Sequence, residues 1–276
     1  MSLSRRGVSL AELLLAVALC GALAGLTARI LLSATLQLRD RSERMGSEHA
    51  LRVAAAALRN ALEASGQDSS TGVDLAATLP TGFSVRVIRA AGTVCAASPG
   101  LLVARDSGAW WSAVRDPVAG RDSVLVASQP DTGWRVLALR AQPAPLRCPD
   151  GGKGIGLPVQ GDPVALASAA PGNPLRVVEQ VEFRLYTAAP DAWLGMRLLA
   201  STQPIQPFAG PMLRNGLRLD YERGDGQPAL LPSEIAAVRI RLGVLTERPG
   251  GVGLIRGAAA RADSAAVYVA LPNRMK

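Results

Sequence analysis

Residues 5–32 read RRGVSLAELLLAVALCGALAGLTARILL, and this stretch decides what the rest of the chain can be. Residues 8–32 are apolar with few exceptions. Their roughly 20 apolar positions match a hydrocarbon core of ~30 Å at a helical rise of ~1.5 Å per residue. Arg29 lies close enough to one end for its long side chain to reach the lipid headgroups. The stretch therefore predicts a helix directed to a membrane.

The polar residues around this helix predict its orientation and leave its processing open. Arg5 and Arg6 stay in the cytoplasm by the positive-inside rule, so the bulk of the chain is exported. Ala22-Leu23-Ala24 satisfies the small-x-small rule for ordinary signal cleavage, which would release a soluble product. Lipidation at Cys20 is disfavoured because Leu19 precedes it. Glu12 argues against an ordinary signal, since a carboxylate in lipid costs about 2–3 kcal/mol and gains nothing there.

The N-terminal motif resembles a known signature. Arg5-Arg6-Gly7, followed by Val8-Ser9-Leu10-Ala11-Glu12 and the apolar helix, is similar to the start of type IV prepilins. The resemblance implies that prepilin peptidase cleaves after Gly7 and that Val8 becomes an N-methylated terminus. Prepilins most often have Phe at the position of Val8. The resemblance also implies that Glu12 pairs with the N-terminal amine of a neighbouring subunit during filament assembly. Such pairing offsets the cost of a carboxylate in hydrocarbon.

Helical signals continue beyond the apolar stretch as far as residue 65. Apolar residues recur there at three- and four-residue spacing and form one face. The face consists of Leu51, Ala54, Ala55, Leu58 and Leu62. Gly66 is a plausible stop signal, and a helix over residues 9–65 would be about 80 Å long. We expect residues 8–32 to lie in the membrane or a filament core, and residues 33–65 to continue the helix and pack on a head domain.

Residues 66–276 have the pattern of a β-rich head. Gly and Pro punctuate short apolar runs, which is typical of strands joined by turns. Several runs, such as 181–186 and 238–242, alternate polar and apolar residues, as an antiparallel sheet packed on a helix requires. The predicted strands cover 83–89, 101–104, 123–127, 134–139, 164–167, 177–186, 195–199, 217–221, 235–245 and 265–270. The fold class is therefore α+β.

The order of these runs resembles large minor pilins and pseudopilins of the PilW and PulJ types. The segments that carry the resemblance are RDSVLVAS, VVEQVEFRLY, WLGMRLL, FAGPMLRNGLRLDYERGDG, PSEIAAVRIRLGV and VALPNRM. It implies a pilin-like structural subunit that initiates or caps a type IV pilus or a type II secretion pseudopilus. Its partners would be other pilin or pseudopilin subunits and the peptidase. It would sit in the inner membrane with the head outside the cytoplasm.

Cys95 and Cys148 are the two cysteines of the exported part. A disulfide between them would close a loop of about 54 residues and stabilise the fold by about 4 kcal/mol in the chain-entropy estimate. An oxidising compartment favours it. The sequence does not show whether their Cα atoms approach closely enough, so the pairing stays an expectation.

Other residue patterns argue against chemistry in the head. One histidine, His49, leaves little room for a catalytic triad or a His-rich zinc site. The acidic run 220–225 has the spacing of a partial calcium loop, but a hairpin turn at Gly224-Asp225-Gly226 explains it better. The glycine-rich segment 151–156 lacks a phosphate-loop ending and is expected to be a mobile loop.

The charge of the chain is also more consistent with a structural role. Its net charge of +8 comes from basic residues scattered among acids, which argues against a nucleic-acid partner. We expect no enzyme activity, metal or cofactor. The expected organisation is a leader at 1–7, the apolar helix at 8–32, its continuation at 33–65 and the head at 66–276. The alternative is a secreted binding or enzymatic domain released after Ala24.

Overall fold

The computed structural model describes residues 10–65, 67–68, 72–108, 111–127, 133–161, 163–189, 191–246 and 261–271. The predicted leader, residues 1–7, and the predicted new terminus, Val8, lie outside the described residues. The chain divides into two compact units. The first comprises Met1–Glu48 and Thr246–Arg261, and the second comprises His49–Leu245 and Ala262–Lys276.

One long helix, α1 (Leu10–Glu63), forms the N-terminal part of the described chain. It contains no proline, and its helical hydrogen bonds run without a break for 54 residues. Its end is marked by Ser65, whose hydroxyl donates to the carbonyl oxygen of Leu62 at 2.6 Å. The predicted stop residue, Gly66, lies outside the described residues. A second helix, α2 (Pro163–Ala167), is short.

The head is built from antiparallel strands. They are β1 (Gln67–Asp68), β2 (Gly72–Val73), β3 (Leu75–Leu79), β4 (Gly82–Ser98), β5 (Leu101–Arg105), β6 (Trp111–Ala113), β7 (Asp122–Ala127), β8 (Trp134–Leu139), β9 (Ala144–Arg147), β10 (Lys153–Gln160), β11 (Pro174–Ala188), β12 (Asp191–Leu198), β13 (Gln206–Glu222), β14 (Ala237–Thr246) and β15 (Arg261–Ala270). A 3-10 turn covers Pro232–Glu234. One N-terminal helix and a large antiparallel sheet make the fold class α+β.

Two long strands, β4 and β11, belong to two different hydrophobic cores. The first of these two cores lies between the sheet and residues 51–62 of α1, and it contains Phe83 and Phe183. The second core lies inside a closed circuit of strands, β11–β7–β8–β10–β5–β4 and back to β11, each pair antiparallel. Leu102, Leu137 and Leu157 fill it. The head thus combines a helix-on-sheet layer with a small barrel.

The structure corrects two sequence-based expectations. Residues 164–167 were expected to form a strand but belong to helix α2. The segment 151–156 was expected to be a mobile loop, but from Lys153 it forms β10, which pairs with β5, β8 and β9. Gly154 favours close approach of the neighbouring strand. A Cβ there would lie 2.8 Å from Cγ1 of Val103 and 3.2 Å from the carbonyl oxygen of Ala104, both on β5.

Candidate membrane and assembly interface

The first part of α1, residues 10–38, exposes apolar side chains on all sides. Leu10 is 78% exposed and Leu31 is 66% exposed. The other exposed large residues are Leu13, Leu14, Leu15, Val17, Leu19, Leu23, Leu26, Ile30, Leu32, Leu36 and Leu38. By length and composition α1 could span a membrane, although a signal sequence near an N-terminus has the same properties. Water is a poor solvent for such a surface, so lipid or other apolar helices should cover it.

Hydroxyl groups within this apolar part are paired with the helix itself. Thr27 Oγ1 lies 3.0 Å from the carbonyl oxygen of Leu23 and 2.9 Å from that of Ala24. Ser33 and Thr35 donate to carbonyl oxygens three residues earlier, each at 2.8 Å. Such local bonds lower the cost of placing a hydroxyl in hydrocarbon. The polar interruptions therefore do not prevent burial of this part in an apolar phase.

Glu12 lies in the first turn of α1, and its side chain is exposed. The free amide groups at a helix N-terminus carry partial positive charge, which favours a carboxylate in this turn. The neighbouring Leu13 and Ala16 are apolar and are also exposed. Glu12 is thus an acidic group at the start of an apolar cylinder. Cys20, on the same helix, is an exposed free cysteine.

The surface of α1 becomes charged after Leu38. Asp40 and Arg44 form an ion pair between residues four apart, with 2.8 Å between Oδ2 and Nη2. Arg39 and Glu43 form another, at 3.3 Å. Exposed pairs of this kind contribute a few tenths of a kcal/mol each. The transition marks the end of the part that an apolar phase could cover.

The last turns of α1 pack on the sheet. Ala54, Leu58 and Leu62 are completely buried, and Leu51 is 8% exposed. They share a core with Phe83, Val181, Leu219 and Ile240 from four strands, and Ala55 packs at its edge. His49 stands at the start of this part and is exposed. The face that the periodicity predicted is therefore the one that holds α1 on the head.

Cys95 and Cys148 are bonded to each other, with their Cα atoms 5.6 Å apart. Both are buried, at 5% and 3% exposure. The bond joins the end of β4 to the turn between β9 and β10. Arg105 and Asp150 form an ion pair at 2.6 Å in the same region, and the bond from Arg105 is the main reason that the pKa of Asp150 lies below its usual value.

A buried ionic cluster lies where the two cores of the head meet. The carboxylate of Glu179, on β11, is fully buried and contacts three guanidinium groups, those of Arg89, Arg115 and Arg121. Arg89 Nη2 lies 2.7 Å from Glu179 Oε2, and Arg115 Nη2 lies 3.1 Å from the same oxygen. Arg115 also holds the buried Asp122 through two bonds, at 2.6 and 2.7 Å. The cluster ties β4, β7, β11 and the segment before β7 together.

The surroundings of Glu179 keep it ionised. Burial alone raises the pKa of its carboxyl, but the hydrogen bonds from Arg121 and Arg115 and the charge of Arg89 outweigh burial, so the pKa lies below its ordinary value. Asp122 raises the pKa of Arg115 through its hydrogen bonds, despite the opposing effect of burial. Sequence reasoning did not find this cluster, because its arginines lie 58 to 90 residues away from Glu179. The signal was a Glu within the apolar run VVEQVEF.

The acidic run considered as a calcium loop is engaged by arginines instead. Asp220 contacts Arg218 at 3.2 Å and also Arg241, and the bond from Arg241 is the main reason that its pKa is lowered. Glu222 lies 3.0 Å from Arg239. The following turn is closed by a bond from the amide of Gln227 to Asp225. Within the described residues, no group of three or more His, Cys, Asp or Glu side chains could hold a metal ion.

The chain was compared with known proteins in three ways. No family model matches it, and neither the curated proteins nor the solved structures contain a match. The features that bear on function are the exposed apolar surface of α1, Glu12 in its first turn and the packing of residues 51–62 on the sheet.

Proposed function

We propose that this protein is a pilin-like structural subunit, a minor pilin or pseudopilin. It is inserted in the inner membrane through the first part of α1, processed by prepilin peptidase between Gly7 and Val8, and N-methylated at Val8. It then joins other pilin or pseudopilin subunits to initiate or cap a type IV pilus or a type II secretion pseudopilus. The head acts as a structural domain without catalysis.

The observation that carries the proposal is that the two ends of α1 lie in different surroundings. Its first part exposes apolar side chains on every side, and its last turns are buried against an antiparallel sheet. A soluble protein would bury such a stretch, and a simple membrane anchor would not need to continue as a packed element of the head. A subunit that moves from lipid into a helical filament core needs both properties, because lipid and neighbouring helices each cover the same apolar surface.

Glu12 supports the same proposal. A carboxylate among apolar residues is unfavourable in an isolated membrane helix, but an ammonium group from a neighbouring subunit compensates it. The position in the first turn of α1 keeps Glu12 near the new N-terminus that cleavage after Gly7 would produce. The attraction between the Glu12 carboxylate and the ammonium group of the neighbouring subunit then selects the register in which the subunits assemble.

The rival, a soluble domain released after Ala24, fits the helix less well. Cleavage there would leave Leu26, Ile30, Leu31 and Leu32 on a helix in water, and each of these side chains is more than half exposed. Exposed apolar stretches of this size promote aggregation. The release site would also lie within an uninterrupted helix.

The test is the intact mass and N-terminal sequence of the protein isolated from membranes of its host. A chain that starts at Val8, with one added methyl group, is the expected result. A chain that starts at Gly25 would contradict the proposal and favour the secreted domain. An uncut chain that starts at Met1 would also contradict it.

Two matched variants make this test specific. Gly7→Val should leave the chain uncut, because the proposed peptidase requires a small residue before the scissile bond. Ala24→Tyr, which blocks ordinary signal cleavage, should leave the mature N-terminus at Val8, with the mass of the chain changed only by the substitution itself. The reverse pattern would contradict the proposal.

A further inference from the structure

Two adjacent leucines are exposed on the connection between β13 and β14. Leu230 is 89% exposed and Leu231 is 58% exposed. Leu230 exposes a larger fraction of its surface than any other large apolar residue that the structure describes. Single exposed leucines are common on protein surfaces, whereas apolar side chains grouped at one place point to a contact site. We call Leu230 and Leu231 the leucine pair.

The backbone that carries the leucine pair is held in place by hydrogen bonds. The amides of Leu230 and Leu231 donate to Oε2 of Glu234, at 3.1 and 3.3 Å. The amide of Glu234 in turn donates to the carbonyl oxygen of Leu231 at 3.0 Å, and that of Ala229 donates to the carbonyl oxygen of Tyr221 on β13 at 2.9 Å. Because this backbone is already ordered, burying the two side chains in a contact loses little conformational entropy.

The head also carries an apolar pocket, which we call the barrel pocket. The turn between β4 and β5, the end of β10 and helix α2 form it, and its volume is about 470 Å³. None of the described residues that line it is charged. Pockets of ~300–1,000 Å³ hold drug-sized ligands, so two leucine side chains fit within it. The larger apolar residues of its lining are Pro99, Val159, Pro163 and Leu166.

The leucine pair and the barrel pocket lie in different parts of one head. The pair follows β13, and strands β12, β11, β7 and β8 lie between β13 and β10 in the sheet. Neither leucine lines the pocket of its own chain. In two copies, however, the pair of one copy can reach the pocket of the other. Such a contact joins unlike surfaces and can repeat from copy to copy, which is the type of contact that builds helical filaments.

We propose that the leucine pair of one copy of this chain inserts into the barrel pocket of a second copy. Both surfaces are apolar, so the contact removes apolar area from water. It is small beside the roughly 1,200–2,000 Å² of stable interfaces and is therefore weak between isolated heads. Copies held side by side meet at a higher effective concentration, which favours even a weak contact. The inference goes beyond the proposed filament role, which assigns no surface of the head.

Crosslinking of the full chain in membranes of its host tests the contact. Two differently tagged copies are produced together in a Cys20→Ala background, where the remaining native cysteines, Cys95 and Cys148, are bonded to each other. One copy carries Ser98→Cys at the rim of the pocket, and the other carries Ser233→Cys beside the leucine pair; both positions are exposed.

A short bis-maleimide reagent should link the Ser98→Cys copy to the Ser233→Cys copy. Two copies with the same substitution should give at least about tenfold less dimer, because the contact joins unlike surfaces. Equal yields from like and unlike pairs would overturn the proposal. So would a product in which the Ser233→Cys copy is linked to a different protein and not to the Ser98→Cys copy.

Variants of the leucine pair test its role in the same crosslinking background. Leu230→Ser with Leu231→Ser should reduce the crosslink at least about tenfold, because the anchoring side chains are lost. Leu230→Met with Leu231→Met should retain it, because methionine is of similar size and apolar. Val114→Ser, at a position that is 80% exposed, is the matched control and should also retain it. An unchanged yield after the double change to serine would overturn the proposal.

A variant of the pocket completes the test. Ala167→Phe, on α2, places a ring in the barrel pocket and should reduce the crosslink at least about tenfold, because the site is then filled. Ala113→Phe, at an exposed position on β6, is its control and should have no effect. Equal yields from these two variants would contradict insertion into the pocket. The urea midpoint of tryptophan fluorescence verifies that each head is folded.

The result is separable from the filament proposal. The N-terminal mass of the same samples reports processing, whereas the crosslink reports contact between heads. A chain that starts at Gly25 and still gives the crosslink would remove the filament role and retain this contact. A chain that starts at Val8 without the crosslink would do the opposite.

Discussion

At the scale of single residues, the junction of the two cores depends on the side chain of Glu179. Its carboxylate is fully buried and is compensated by three arginines. Removing one charged residue from a buried ionic cluster destabilises the protein by more than the intact cluster stabilises it, because the remaining charges stay buried without compensation. The three guanidinium groups would then lose their shared acceptor.

Replacing Glu179 with Gln should destabilise the head by about 3 kcal/mol, since a neutral amide no longer compensates the charges of Arg89 and Arg121, whereas Arg115 keeps Asp122. Urea unfolding followed by tryptophan fluorescence measures this, because all four tryptophans lie after residue 100. The folded pKa of Glu179 is lowered, so its contribution is full above the unfolded value near 4.3 and disappears as pH falls through the folded pKa. The difference between the two proteins should therefore shrink below about pH 4.

Glu63→Gln is the control for this variant. Glu63 pairs with Arg59 at the surface of α1, at 2.7 Å. An exposed pair contributes about 0–1 kcal/mol, so this change should have little effect. Equal destabilisation by the two variants would refute a special role for Glu179.

Glu12 is the other residue with a charge in an unusual place. Glu12→Gln should leave membrane insertion unchanged, because loss of the charge lowers the cost of entering lipid. The amount of protein in sheared filaments should fall about tenfold, a loss equivalent to about 1.4 kcal/mol. Immunoblots of sheared and membrane fractions measure this ratio. Glu48→Gln, the same change on an exposed part of α1, should not alter it, and a comparable loss with that control would contradict the assembly role.

At the scale of secondary-structure elements, α1 is one helix with two environments. Leu58 is completely buried under the sheet, whereas Leu38 is 64% exposed. Leu58→Ala should destabilise the head by about 2–5 kcal/mol, because it removes apolar contacts and leaves a cavity. Leu38→Ala should leave the urea midpoint of tryptophan fluorescence unchanged. Equal midpoints for the two variants would show that the last turns of α1 do not support the head.

The disulfide links the end of β4 to the turn between β9 and β10. Without this bond, packing and strand pairing would hold these elements together. Its cysteines are 53 residues apart in the chain. Replacing Cys95 and Cys148 together with Ser should lower the free energy of unfolding by about 4 kcal/mol, since the unfolded chain gains conformational freedom. Unfolding of the parent protein with and without a reductant provides the same comparison. No difference in urea midpoint would mean that the bond does not constrain the unfolded chain.

At the scale of the whole molecule, the apolar part of α1 is expected to control where the protein resides. The full chain should remain with membranes after extraction at alkaline pH, because the surface of this helix is stable in lipid and unstable in water. Removal of residues 8–32 should transfer the protein to the soluble fraction. Quantitative immunoblotting of both fractions measures the distribution. Complete extraction of the full chain would show that α1 does not span the bilayer.

The sequence was sufficient for features that depend on neighbouring residues. Hydrophobic run length predicted the apolar helix, and three- and four-residue spacing predicted the face with Leu51, Leu58 and Leu62. Short apolar runs between turn residues predicted strands such as β8, whose bounds agree with 134–139. These patterns are local, so one sequence is enough to reveal them. Segment 164–167 was misassigned because a short apolar run has no clear period.

Tertiary structure alone decided the features that join distant parts of the chain. Closure of the barrel depends on strand pairings between β4, β11 and strands far apart in sequence, and these pairings turned a glycine-rich segment into β10. The same is true of the arginines around Glu179. Local periodicity sets which way a side chain points. Which partner it meets depends on long-range packing and electrostatics, which no local pattern encodes.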